Sequence, residues 1–432
     1  MAQSITLDHA LRLVQDGDHI VAGMAASEGR AFFERLHEIL SDERHVSIDN
    51  CLPLKAYPFM VDDAYVDQIT VNSWFFSGDL RKAFKHGNIH YIPNHLHLAG
   101  SKRIQHISPD IYVGNATPPD KHGYVSLSLG NVYEKAMIKA AKTVILEVNP
   151  NLPRTFGDVE VHVDDIDYLV DVDYSVPELP DLAPNEKDEK IGALIADYIH
   201  NGDTIQLGIG GIPNAVANAL HEKKDLGVHT EMLTTGFMKL YQAGAITNTK
   251  KTLHPGKMVA AFALGTQELY AFLDNNPGIS ILNGAYVNDP FVIAQNDNQV
   301  SINTTLQVDL AGQCASESIG STQFSGTGGQ SDTATGAQKA LGGRSFIALY
   351  STAMVKGADG TRVETSKIVP TLLPGAFVTL SRNDVDHVVT EYGVAELRGT
   401  SLSERTKRLI AIAHPKFRDD LTREAKKMGY IR

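Results

Sequence analysis

Residues 204–231 read TIQLGIGGIPNAVANALHEKKDLGVHTE and hold the types and spacing most suited to chemistry. Thr204–Leu207 predicts a short strand, and Gly208, Gly210 and Gly211 a turn closed by Ile212-Pro213. Asn214–Lys223 has helical spacing, with Val216, Ala217 and Leu220 on one face. A strand that turns through glycine into a helix start leaves N–H groups unpaired at the positive end of the helix dipole, a geometry that binds anions. Glycine permits φ > 0 and close approach of a ligand to the backbone. A second strand, Gly227–Thr230, ends at Glu231, so a carboxylate and a set of aimed N–H donors share one strand edge. Gly208-x-Gly210 with an acid about 20 positions on also suits a dinucleotide fingerprint. The third glycine of that fingerprint falls at Pro213, which has no N–H. A plain tight turn followed by a surface glutamate fits this stretch equally well.

The elements that position these residues alternate between strand and helix. Residues 16–23, DGDHIVAG, precede a small-residue loop, Met24–Gly29, and a helix, Arg30–Leu40; residues 201–208, NGDTIQLG, lead into a glycine loop and helix in the same way. Gly23 and Gly208 follow Asp18 and Asp203 at the same offset, and helical patterns, Leu7–Val14 and Ile191–Ile199, precede both. This internal repeat predicts two related α/β halves. Strands are expected at 47–50, 68–72, 89–92, 111–113, 124–126 and 143–147, with helices at 80–85 and 133–141. Such alternation implies a mostly parallel sheet covered by helices. Residues 175–190, SVPELPDLAPNEKDEK, are rich in proline and acid and read as the interdomain linker. Beyond it, strands are expected at 279–282, 306–309, 346–349, 377–380 and 386–391, with helices at 403–413 and 418–428. Residues 316–336, SESIGSTQFSGTGGQSDTATG, are small, polar and glycine-rich, a composition that suits a linker, but they are short and bounded by strand patterns.

The chain has 432 residues, enough for two or three domains with substantial cores. A net charge of −12 argues against nucleic acid as a partner. Two distant cysteines, Cys51 and Cys314, offer no metal spacing or disulfide framework and favour the cytoplasm. No apolar run spans a membrane, and the first residues lack the pattern of a signal peptide.

Six segments in order, VNPNLPRTFG (148–157), GIGGIP (208–213), HTEM (229–232), SGTGGQSD (325–332), TEYGVAELRG (390–399) and HPKFR (414–418), resemble the acetyl-CoA hydrolase/transferase group of class I CoA-transferases. The resemblance runs over nearly the whole chain. It implies two related open α/β domains of CoA-transferase type, residues 1–184 and 185–432, with the active site between them. It also implies a glutamate nucleophile, which HTEM assigns to Glu231, and coenzyme A as substrate with no permanently bound cofactor and no metal. Covalent catalysis by a carboxylate divides one hard exchange into easier steps. Each attack on a carbonyl creates an oxyanion that needs preorganised donors. Gly208, Ile209, Gly210 and Gly211 are the candidates, Gly210 and Gly211 foremost. Gly326, Gly328, Gly329 and Gln330 would let backbone approach CoA, and Lys356 is a candidate contact to a CoA phosphate. Glu391 is a candidate to orient Glu231 or substrate, and a structural cap is an equal reading. His90, His95 and His97 in IHYIPNHLHLAG read as a loop near the cleft that shapes the acyl pocket. There the family more often has a cysteine at the position of Asn94. By pseudo-symmetry, Gly23–Gly29 would face the cleft and supply the carboxylate site. At its reference pKa of about 4.3 the nucleophile needs no tuning.

The expectation is thus a cytoplasmic, homo-oligomeric CoA-transferase acting on short acyl-CoA and a small carboxylate such as acetate. An acyl-CoA hydrolase on the same site, a nucleotide-dependent oxidoreductase and a non-catalytic acyl-CoA sensor are the rival readings.

Overall fold

The computed structural model describes residues 2–41, 44–356 and 360–432. The main sheet of the first half has eight strands: β1 (Gln3–Ser4), β2 (His19–Ala22), β3 (Val46–Asn50), β4 (Ile69–Ser73), β5 (Ile89–Tyr91), β6 (Ile111–Ala116), β7 (Thr143–Val148) and β8 (Tyr168–Asp171). They form one sheet in the order β1-β8-β7-β6-β2-β3-β4-β5, parallel throughout. The second half supplies β9 (Thr204–Leu207), β10 (Gly227–Leu233), β11 (Met258–Ala263), β12 (Ile279–Ile281), β13 (Gln299–Thr304), β14 (Arg344–Ala348), β15 (His387–Thr390) and β16 (Gly393–Glu396). Their order is β12-β11-β10-β9-β13-β14-β15-β16, and only the last pair is antiparallel. With β9 laid on β2, the order from β5 through β2 to β8 matches that from β12 through β9 to β15. The repeat seen around Gly23 and Gly208 is therefore a repeat of sheet topology, and the halves differ at one edge strand.

These strands form where the sequence is apolar on both faces, as sheets covered by helices require. Every residue of β11, MVAAFA, is buried. Each half has an apolar cluster of its own, and a third is shared between the two sheets. One apolar cluster runs from Val21 and Trp74 in the first half to Val228 and Phe262 in the second. Backbone hydrogen bonds lace the halves together, Ala263 N–H to Leu129 O at 2.7 Å and Asn131 N–H to Ala261 O at 2.9 Å. Among the described residues no helix is long and apolar enough to cross a membrane.

Four local expectations change. The linker ends at Asn185, because Glu186–Ala196 is a helix whose capping box pairs Asn185 with Asp188. The acids at 186, 188 and 189 read as linker composition, yet they lie in the first turn, where they complement the dipole. The remaining linker is fastened down by Leu179 N–H to Gly265 O (2.9 Å) and by Tyr270 Oη to Pro177 O (2.6 Å). No strand forms at 377–380: Phe377 and Val378 are exposed, and Leu380 makes only an isolated bridge to Cys314. In the small-residue stretch, Gln330–Lys339 is a helix despite low propensity, because its small residues allow close packing. A Cβ on Gly336 would lie 2.6 Å from Ile293. Finally, β10 continues to Leu233, so Glu231 lies within the strand.

The helix Gly211–Ala219, which follows the first glycine turn, packs against Glu186–Ala196 through Gly192, where a Cβ would stand 2.7 Å from the backbone of Ala215. Gly192→Ala is expected to destabilise the protein by about 1–3 kcal/mol through overpacking, read as a lower urea midpoint at unchanged slope. An unchanged midpoint would contradict this account of the helix pair.

Candidate active site

Parallel strands present ligands at their carboxyl ends, and here two sets of carboxyl ends meet. Met24, Leu52 and Phe75 follow β2, β3 and β4; Gly208 and Ile209 follow β9; Asn303 and Thr304 end β13. All line one cavity of about 180 Å³, together with Glu231, Leu96, Phe262 and the loop Ser325–Gln330. Met24, Leu52, Phe75, Leu96 and Phe262 give it an apolar wall.

Glu231 lies on this cavity with its carboxylate tightly held. The Asn288 Nδ2 donates to its Oε2 at 2.7 Å. The backbone N–H of Gly329 also donates to it. Gly329 is the N-cap of the helix Gln330–Lys339, so the positive end of that helix faces the carboxylate. A methyl group on Gly329 would overlap Oε2 outright. Burial nevertheless raises the Glu231 carboxyl to about 7; the Asn288 hydrogen bond opposes this, the charge of Asp332 adds to it, and the Gly329 N–H opposes it. The expectation of an untuned carboxylate is therefore corrected: desolvation by the apolar wall outweighs the donors.

Of the first glycine turn, Gly208 and Ile209 line the cavity that holds Glu231. The Gly208 N–H is committed to Ile302 O at 3.0 Å, which leaves Ile209 as the donor of this turn. Gly210, at φ +112°, faces a neighbouring cavity lined also by Leu179, Leu182 and Thr234. Beside Gly211, the space for a side chain is filled by the Asp188 carboxylate. The helix N-terminus that serves Glu231 is instead the one that follows the second glycine loop. In that loop Gly326, Gly328, Gly329 and Gln330 all line the cavity. The three glycines' lack of side chains serves protein contacts: a Cβ on Gly326 would overlap Trp74 O, and one on Gly328 would lie 3.2 Å from Phe75.

Other candidates are not brought to Glu231. Lys356 ends an exposed hairpin strand, Thr352–Lys356, away from the cavity lining. Glu391 accepts hydrogen bonds from Ser351 N–H and Oγ (2.8 Å each) and pairs with Lys187 at 3.2 Å, which is a structural cap. His90 is exposed. Leu96, between two histidines, lines the cavity, and His97 Nδ1 lies 2.8 Å from Asp332 Oδ1. Asn94 Oδ1 is buried without a partner among the described residues. Of Gly23–Gly29, Met24 reaches the cavity. Among the described residues, no three His, Cys, Asp or Glu side chains are placed to hold a metal.

The sequence gives no signal for Asn288, which sits in VNDP, a plain helix-end pattern. Nor does it single out Glu317, which is buried and holds the second loop by accepting from Tyr91 Oη (2.8 Å) and Thr327 Oγ1 (2.9 Å).

Both halves of the chain match known proteins. Residues 3–180 match the acetyl-CoA hydrolase/transferase N-terminal domain, and residues 265–425 match the C-terminal domain of the same family. The succinyl-CoA:cyclohexane-1-carboxylate CoA transferase of Geobacter metallireducens is 42% identical over 98% of this chain and 94% of its own. The 4-hydroxybutyrate coenzyme A transferase of Clostridium kluyveri is 47% identical over 82% of each chain. Among solved structures, RipA from Yersinia pestis superposes with a TM-score of 0.91 at 35% identity, covering 99% of this chain and 98% of the other.

With Glu231 raised to about 7 and required as the anion, kcat/KM is expected to rise with pH through about 7 and to fall tenfold per unit below it. A profile flat from pH 5 to 8 would contradict the tuned carboxylate. Gly329→Ala is expected to lower kcat by about 10²-fold or more, since its methyl displaces both carboxylate and donor.

Proposed function

The chain belongs to the acetyl-CoA hydrolase/transferase family, and from that premise we propose that it exchanges CoA between a short-chain acyl-CoA and a small carboxylate, acetate among them, through a thioester on Glu231. The observation that carries the reading is one carboxylate, in the cavity between the halves, held by a side-chain amide and a helix N-terminus. Glu231 Oε1 attacks the thioester carbonyl, the C–S bond breaks, and CoA leaves as the thiolate. The resulting mixed anhydride is attacked by that thiolate at the Glu231 Cδ. The bond from Cδ to the bridging oxygen then breaks, releasing the first acid as its carboxylate and leaving glutamyl-CoA. The acceptor acid runs the same steps in reverse, so no proton or electron is consumed.

In the second attack the negative charge develops on Oε2. Asn288 Nδ2 and the Gly329 N–H already donate to the carboxylate, so stabilisation needs no rearrangement. For the first attack, the Ile209 N–H on the facing wall is the available donor. The apolar wall formed by Met24, Leu52, Phe75 and Leu96 supports transfer over hydrolysis, because it limits water at the thioester. The dinucleotide reading is weakened by Pro213, which stands where the third glycine of that fingerprint would be. CoA is a substrate here, and no resident cofactor is invoked. The domains divide at 184/185. We place the protein in the cytoplasm, where Cys51 and Cys314 remain buried free thiols, and expect a homo-oligomer.

Initial rates with acyl-CoA and free acid are expected to give parallel double-reciprocal lines, the sign of a covalent enzyme form. Intersecting lines would overturn the mechanism. Glu231→Gln should abolish exchange, and Asn288→Ala should cost about 10²–10³-fold in kcat with a smaller change in KM.

A further inference from the structure

The histidines of the stretch IHYIPNHLHLAG have no role in the steps above, yet His97 and its neighbour Leu96 make three contacts to the machinery. Leu96 N–H donates to Gly328 O at 3.2 Å. His97 N–H donates to Asp332 Oδ2 at 3.2 Å, and its ring Nδ1 lies 2.8 Å from Asp332 Oδ1. Asp332 is 1% exposed and stands in the first turn of the helix whose cap, Gly329, lies against Glu231. Two consecutive residues of the first half thus grip the glycine loop and the first helical turn of the second. We propose that His97 is a positioning residue for the Glu231 reaction: it holds the Asp332 carboxylate, and so sets both the charge beside Glu231 and the seat of the Gly328–Gly329 backbone.

The charged surroundings give this a definite sign. Glu231 feels Asp332, and the Cys51 thiol faces it from the end of β3. Around His97 stand Asp332, Asp289 and Lys102, with the His95 ring stacked at 6.1 Å. An ionised Asp332 disfavours the Glu231 anion, and a protonated His97 offsets that charge. The Asp332 partner favours the protonated ring, against its burial. Removing the positive charge while keeping a donor should therefore make Glu231 harder to ionise. Removing the negative charge should make it easier.

The inference rests on Glu231 as the nucleophile, and the test separates the two. His97→Gln and Asp332→Asn are compared with the parent by the pH profile of kcat/KM, with thermal unfolding as the control for folding. His97→Gln should move the acid limb upward by about half to one unit, which is a loss of about 3–10-fold well below the limb and a much smaller loss above it. Asp332→Asn should move the limb downward. Limbs that stay in place, or losses equal at every pH, would reduce His97 to a structural contact and overturn the proposal. If Glu231→Gln retained exchange, the nucleophile assignment would fail first, whatever the limbs do.

Discussion

The Glu231 carboxylate lies against the backbone of Gly329 with no room for a side chain between them, and the rest of the site follows from that contact. It brings the start of a ten-residue helix onto the acid. It requires a glycine loop that can fold over a strand, and that loop must be held from outside because its residues have little to anchor them. The anchors come from the other half of the molecule: Tyr91 Oη donates to Glu317 (2.8 Å), Phe76 N–H to Ser325 O (3.2 Å), and Leu96 N–H to Gly328 O (3.2 Å). Neither half alone contains the site.

Duplication of one sheet topology explains why the two halves converge. Each presents the ends of corresponding strands to the cleft, Met24 after β2 and Gly208 after β9. The strand equivalent to β10 is β3, and it is followed by Cys51, a buried thiol whose ionisation is suppressed by burial and by the Glu231 charge. Of these two equivalent strands, only β10 carries a carboxylate toward the cavity. The first half has become the apolar wall and the second the reactive one. That division is what makes Glu231 hard to ionise and keeps its surroundings dry.

The parallel α/β architecture was legible because buried strands such as MVAAFA are apolar throughout, and the repeat was legible in two short matched segments. The family motif singles out Glu231, which lines the cavity. In the first glycine turn, where local pattern predicts donors at Gly210 and Gly211, Gly208 and Ile209 are the residues on the Glu231 cavity. The Asp188 carboxylate packs beside Gly211 from a neighbouring helix, and no local rule reports such a contact. The Gln330–Lys339 helix was hidden because tertiary packing overrides weak propensity. Asn288 and Asp332 were hidden because their importance lies in what the fold places beside them.

Trapping the covalent enzyme tests the central claim most directly. The protein is incubated with acyl-CoA and no acceptor acid, treated with borohydride, digested and mapped by mass spectrometry. The account predicts that a thioester on Glu231 is reduced to the alcohol, with loss of activity, while enzyme without acyl-CoA is untouched. Reduction at Glu317, Glu391 or any side chain other than Glu231, or no modification at all under turnover conditions, would contradict it.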